Sequence, residues 1–244
     1  MEKKNLDISS AGLHILAMGL MLCDHLWATV VPGNDWLTCI GRLAFPIFAF
    51  MTVEGYFHTK NLKKYVQRLL IFAVLSELPF NLMMGSRIFY PIHQNVLWTF
   101  LLGIWMIWWN EKARSAPLWR RALRGVSSVI VGLLVGTVTM VDYLGAGVAM
   151  VLTFYFFRGG KWWCFVGQLL ALYWLNTEVL SGFSYQLELF GREIWIVRQS
   201  FAVLALIPIW CYRGRQGYHS QAFRWLCYGF YPAHMLILAL IRML

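Results

Sequence analysis

Long apolar runs recur along this chain, each closed by a short polar or basic break. A hydrocarbon core about 30 Å thick needs about 20 apolar residues per helical crossing, and that pattern repeats from one end to the other. The pattern predicts an all-α polytopic bundle of about nine transmembrane helices. They fall over residues 11–31, 36–57, 65–84, 94–109, 125–141, 143–157, 162–176, 197–212 and 224–242. Little chain is left for a soluble domain, so residues 1–244 are expected to form a single integral membrane domain. The first run follows Met1, Glu2, Lys3 and Lys4 as a signal peptide would, but it carries Asp24 and His25 and lacks an A-x-A cleavage site, so it is taken as a true span.

The positions of the basic residues orient these spans. Lys3, Lys4, Lys60, Lys63, Lys64, Arg68, Lys112, Arg114, Arg120, Arg121, Arg124, Arg158, Lys161, Arg213, Arg215 and Arg224 fall in alternate connections, while Arg87, Arg192, Arg198 and Arg242 fall on the other side. Positive charge is retained on the cytoplasmic face, which places the N-terminus inside and the C-terminus outside a bacterial cytoplasmic membrane. The formal charge of +10 therefore reports topology and implies no nucleic-acid partner. The longest outer connection, 177–196, mixes Glu178, Glu188 and Glu193 with aromatics.

Composition agrees with this class: 59% of residues are hydrophobic and 13% charged, against about a quarter charged in ordinary soluble domains. The five cysteines have no CxxC spacing or histidine cluster and are expected to be small buried hydrophobes, with no metal site. Gly132 and Gly136 form a G-x-x-x-G that suits close helix packing.

A charged group at mid-helix costs about 2.5–3.5 kcal/mol on insertion scales and needs a partner, water or a function. Asp24 and His25 lie in the first expected span, Arg42 and Glu54 in the second, Glu77 and Asn81 in the third, Asn95 and Thr99 in the fourth, Asp142 at the end of the fifth, and Tyr231 and His234 in the ninth. With alternating directions, Asp24, His25 and Arg42 reach one depth, and Glu77, Asn81 and Asn95 approach it from the third and fourth spans. A polar chamber open to the outside is expected, with Glu54 and Arg68 at the opposite, cytoplasmic mouth. Adjacent helical residues point about 100° apart, so Asp24 is poorly placed to orient His25, and Glu77 or Asp142 suits that role better. The set lacks G-x-S-x-G, H-E-x-x-H and phosphate-loop spacings, which leaves base-assisted transfer or ion coupling.

Several segments are similar to a known family: MLCDH (21–25), IGRLAFPIFAFMTVEGY (40–56) followed by His58 and Thr59, YVQRL (65–69), SELPFN (76–81), VDY (141–143) and YPAH (231–234). Together they resemble the TraX family, whose named member is a conjugative F-pilin acetylase and which is related to the acyltransferase-3 class. The resemblance implies a membrane-embedded acyltransferase with acetyl-CoA as cytoplasmic acyl donor. It implies catalytic roles for His25 and Arg42; the polar groups within the spans add Asp24 to the catalytic set and Glu54, Arg68, Glu77, Asn81, Asn95, Asp142, Tyr231 and His234 as expected substrate contacts. The implied acceptor is a pilin-like peptide amine at the outer face. A glycan or lipid acceptor, and a proton-coupled transporter, are the competing readings.

The charge pattern yields a direct test of topology. Reporter fusions after Lys64, Arg121 and Arg215 are expected to read cytoplasmic and a fusion at Leu244 external; an internal C-terminus would mean a miscounted span.

Overall fold

The structure, a computed structural model, describes residues 7–189 and 191–243, so Lys3, Lys4 and Leu244, which enter the topology reading, lie outside the described residues. Helix α1 spans Ser10–Thr29. It starts where the Ser9 hydroxyl accepts from the Gly12 amide, satisfying one donor that a helix N-terminus leaves free. The second expected span is two helices, α2 (Asp35–Gly41) and α3 (Ala44–His58), parted by a turn at Arg42 and Leu43. Helix α4 (Leu62–Gly85) is capped by Asn61 and α5 (Val96–Glu111) by Asn95. Then come α6 (Leu118–Val138), α7 (Leu144–Phe156) and α8 (Trp162–Trp174), which ends in a π turn at Leu175–Val179. A 3₁₀ segment, Arg198–Ala205, leads into the short α9 (Leu206–Trp210), and α10 (Gln221–Met243) closes the chain.

Every expected run is helical, but their lengths do not all suit a membrane crossing. Among the described residues, five stretches are long and apolar enough to cross a membrane: α1, the α2–α3 run, α4, α6 and α10. The remaining helices are shorter. The outward surface is apolar, with Leu118, Trp162 and Val138 more than three quarters exposed, as lipid-facing side chains are. Helix α6 begins seven residues before the expected 125, because Pro117 stands at its N-cap, and so Arg120, Arg121 and Arg124 lie on the helix and not in a loop. Arg68 and Arg224 are likewise helical, on α4 and α10.

The connection 177–196 is not irregular. It holds an antiparallel hairpin, β1 (Ser184–Leu189) and β2 (Arg192–Val197), with Glu188 paired to Glu193 in register. The hairpin lies over the end of α2, where the Tyr185 hydroxyl is 3.6 Å from Cys39 Sγ. This end of the molecule is called the hairpin end below, and the opposite one the basic end.

Two close backbone approaches set the packing. A Cβ on Gly145 would stand 2.2 Å from the Leu133 carbonyl oxygen, and one on Gly136 would stand 2.9 Å from Gly145 Cα, so α6 and α7 touch through the G-x-x-x-G face. A Cβ on Gly41 would lie 2.5 Å from Asp24 Cβ and 2.8 Å from its Cα, which brings α2 directly onto α1. The connection between α4 and α5 is tied to the α6–α7 turn by the Gln94 amide donating to the Met140 carbonyl at 2.8 Å and by His93 Nε2 standing 3.2 Å from Asp142 Oδ1.

Gly41→Ala is therefore expected to destabilise by about 1–3 kcal/mol, the usual range for overpacking. Gly19→Ala on α1 meets no atom within 4 Å and should be neutral or slightly stabilising. Thermal unfolding of the purified variants in detergent compares them. The His93–Asp142 contact gives a second expectation. The hydrogen bond from His93 to Asp142 holds the imidazole above its ordinary value of 6.5, against the opposing effect of burial. Because the folded value is raised, the stabilisation is complete below 6.5 and is lost as pH rises through the folded value. An NMR titration should place the His93 midpoint above 6.5 and should return it toward 6.5 in Asp142→Asn.

Candidate functional site

At the hairpin end the Gly41 contact lets α2 deliver two side chains to Asp24. The Thr38 hydroxyl donates to Asp24 Oδ1 at 2.7 Å, and Arg42 Nη2 stands 3.0 Å from the same oxygen. Thr38 and Arg42 are four residues apart on one helix face, and Arg42 Nε and Nη2 also donate to the Thr38 hydroxyl at 3.2 and 3.0 Å. The remaining fork reaches Gln199 Oε1 at 3.5 Å, and the buried Gln199 donates on to Asn176 Oδ1 at 3.0 Å. Asp24 and Arg42 are each less than one fifth exposed. The guanidinium is held from three segments, which keeps its charge at a fixed place in the bundle.

His25, the next residue on α1, faces α10. Its Nδ1 lies 2.7 Å from His234 Nε2, and His234 Nδ1 lies 2.7 Å from the Phe230 carbonyl oxygen one helical turn back. The two rings are 7° from coplanar with centroids 4.9 Å apart, so they meet nitrogen to nitrogen along their edges. The expected orienting carboxylate, Glu77 or Asp142, is not there. His25 is oriented by a second histidine, because α10 packs on both α1 and α4 and inserts His234 where those acids were expected.

Glu77 belongs to a separate group. Asn95 and Trp98 both donate to Glu77 Oε2, the latter at 3.0 Å, and Asn95 also donates to the Ala73 carbonyl at 2.8 Å while its Oδ1 caps α5 at the Leu97 amide. One buried asparagine thus joins α4 to α5. Among the described residues, Glu77 Oε1 and Asn81 Oδ1 are buried without a partner. Asn81 shares the Glu77 face but donates to the Ile88 carbonyl at 3.3 Å. Thr99 donates to the Asp142 carbonyl at 2.7 Å, and Asp142 itself takes His93. Tyr143 follows in a left-handed conformation (φ 60°), uncommon for a bulky residue, which sets its ring on Phe45 at 4.1 Å and its hydroxyl beside Arg42. Tyr231, buried on α10, places its hydroxyl at the Val96 backbone one turn from His234.

Glu54 and Arg68 lie at the basic end, in two different places. Glu54 accepts two hydrogen bonds from Arg158, at 2.7 and 3.4 Å, and borders a cavity of about 340 Å³ lined also by His58, Phe165, Gln168 and Trp210. Arg68 sits in the α4–α10 seam. Phe72 stacks on Tyr228 at 5.1 Å and approaches Trp225 at 6.1 Å; Arg68 precedes Phe72 by one turn and Arg224 precedes Tyr228 by one turn. Both arginines have a buried Nε without a partner, and among the described residues neither has a carboxylate within 4.0 Å.

The chain therefore brings Asp24, His25, Arg42 and His234 together, with Glu77, Asn81, Asn95, Asp142 and Tyr231 around the same end, and separates Glu54 from Arg68. Thr38, Gln199 and Asn176 join the Arg42 network, and His93 and Trp98 the neighbouring Asp142 and Glu77 contacts, none of them marked by the sequence reading; Tyr143 had entered it only through the VDY motif. Thr38 had a signal in its four-residue spacing from Arg42. Gln199 and Asn176 had none, since only tertiary packing aligns their segments.

Comparison with known proteins follows the same span of chain. The Dichelobacter nodosus protein titled "Probable fimbrial assembly protein FimC, serogroup H1" is 25% identical over 265 aligned residues, which cover 98% of each chain. No solved structure matches. The family model described as TraX protein matches residues 9–242, nearly the whole length from α1 to the end of α10, and the chain belongs to the TraX family.

Proposed function

We propose that this protein is a membrane-embedded acyltransferase that moves an acetyl group from cytoplasmic acetyl-CoA to an acceptor at the outer face of the bacterial cytoplasmic membrane. The observation that carries the reading is an imidazole pair, His25 and His234, beside a guanidinium fixed by Asp24 and Thr38 inside an apolar helical bundle. A neutral imidazole removes the proton of an attacking amine or hydroxyl. The carbonyl carbon of the thioester then forms its new C–N or C–O bond while the oxyanion faces Arg42. Collapse breaks the C–S bond, and the proton held by His25 passes to the departing thiolate. Fixed positive charge in a dry site is often the larger catalytic contribution.

The basic end suits the donor. Arg68 and Arg224, with unpaired buried Nε groups, are placed to take CoA phosphates, and guanidinium forks match phosphate oxygens well. In this reading the nine helical runs are nine crossings, with the basic end cytoplasmic and the hairpin end outside, and α8 and α9 are lengthened by the π turn and the 3₁₀ segment that adjoin them. The acceptor is a pilin-like peptide amine, supported by family membership and by the fimbrial assembly title of the D. nodosus relative. A glycan hydroxyl would meet the same base and the same oxyanion site.

The test uses protein reconstituted in sealed vesicles of known orientation, with labelled acetyl-CoA on the basic-end side and a pilin-like peptide on the other. Labelled peptide is expected from the wild type. His25→Ala should lower turnover by about 10²–10⁴-fold, the usual worth of a general base. Arg42→Lys should also fail, since an ammonium keeps the charge but loses the planar fork shared by Asp24 and Thr38. Turnover near the wild-type rate in a folded His25→Ala protein would sink the assignment, and a requirement for donor and acceptor on one side would sink the sidedness.

A further inference from the structure

We infer that His234 is a positioning residue that fixes the tautomer of His25, leaving His25 Nε2 as the bare, basic nitrogen; this rests on the acyltransferase reading above. The inference follows from which atoms can donate. The Phe230 carbonyl oxygen only accepts, so the 2.7 Å contact with His234 Nδ1 requires a proton on that nitrogen. Neither His25 nor His234 has a carboxylate within 4.0 Å; among the described residues the histidines that do are His58 and His93. A proton added to the pair would be an unpaired charge inside an apolar bundle, so the resting pair is neutral. A neutral His234 with its proton on Nδ1 has a bare Nε2, which can only accept. The 2.7 Å contact between that Nε2 and His25 Nδ1 is then a hydrogen bond donated by His25.

The relay is therefore ordered: His25 Nδ1–H to His234 Nε2, and His234 Nδ1–H to the Phe230 carbonyl. It leaves the lone pair of His25 on Nε2, which takes no hydrogen bond among the described residues. When Nε2 accepts the proton of the nucleophile, the imidazolium already has an acceptor on its far nitrogen, which in turn is backed by a backbone carbonyl. A carboxylate in that position would make a tighter pair and would raise the proton affinity of His25, favouring its charged form. A histidine orients the ring without doing so. Phe230 stacks on His234 with centroids 4.7 Å apart and 13° between planes, and Tyr231 lies at 5.9 Å, so the second ring cannot turn freely.

The tautomer is read by ¹⁵N NMR of histidine-labelled full-length protein in lipid at neutral pH, with the His25 and His234 signals assigned by their loss in single alanine variants. The expected result is a protonated Nδ1 and an unprotonated Nε2 on His25, and a protonated Nδ1 on His234. His234→Leu removes the acceptor and should move His25 away from that tautomer, while His234→Gln keeps an acceptor oxygen and should preserve it. In transfer assays His234→Leu should lower kcat by about 10²-fold or more, since a wrong tautomer disables a base in place. KM for acetyl-CoA should stay unchanged, and His234→Gln should recover most of the loss. A resting His25 protonated on Nε2, or a tautomer unchanged in a folded His234→Leu protein, would overturn the inference. The spectroscopic result does not depend on turnover: the expected tautomer in a protein that transfers no acetyl group would sink the acyltransferase reading alone.

Discussion

The close approach of α1 and α2 at Gly41 governs most of what lies at the hairpin end. There the side of one helix rests on the backbone of another at Asp24, with no room for a single added carbon. An ion pair in an apolar bundle is weakly favourable at best, because desolvation offsets much of the Coulombic gain unless the geometry is good and the other polar atoms are satisfied. The Gly41 contact provides that geometry. It brings Thr38 and Arg42 to Asp24 together, so the carboxylate receives a hydroxyl and a guanidinium at one oxygen. The turn at Arg42 and Leu43 then leads the chain into α3, with the guanidinium still bonded to Thr38 on α2.

The same end shows how a helical membrane protein joins its parts where the hydrophobic effect gives no preference between helix and lipid. Asn95 caps α5, holds Glu77 and takes the Ala73 carbonyl, so one side chain satisfies three demands at once. Gln199 and Asn176 link the 3₁₀ segment to the π turn and then to Arg42. These bonds are worth more than their number suggests, because each group would otherwise be unsatisfied in a nonpolar medium. What they build is a polar cluster at one end of an apolar bundle. The opposite end keeps its own chemistry, with Glu54 held by Arg158 and, among the described residues, with no carboxylate within 4.0 Å of Arg68 or Arg224.

Two histidines in a relay serve a base differently from a histidine and an acid. The acid confers charge and raises proton affinity, whereas the second imidazole confers direction with no net charge, which suits a site where isolated charge is costly. In the proposed acyltransferase, Arg42 would supply positive charge from a fixed position and His25 would stay neutral until it met its substrate. This division of labour fits acyl transfer, in which one group must take a proton while another faces the developing oxyanion.

Hydropathy alone determined that the chain is helical and where the helical runs lie, because the cost of exposing backbone to lipid leaves few alternatives. It could not determine their lengths: α6 begins early at Pro117, the second run breaks at Arg42, and the eighth is partly a 3₁₀ segment, all consequences of local geometry that an apolar run conceals. The motif around Arg42 and the intramembrane charges marked Asp24, His25 and Arg42, since a charge at mid-helix demands an explanation from sequence onward. Their partners were not legible. That His25 meets His234 and not Glu77 or Asp142, and that Arg42 reaches Gln199, depends on which helix faces which, and the small-residue contacts that decide this, above all Gly41 on Asp24, carry no long-range label in the chain. The hairpin over α2 escaped for the same reason: two short strands with mixed polarity form a stable pair only where a helix end is there to support them.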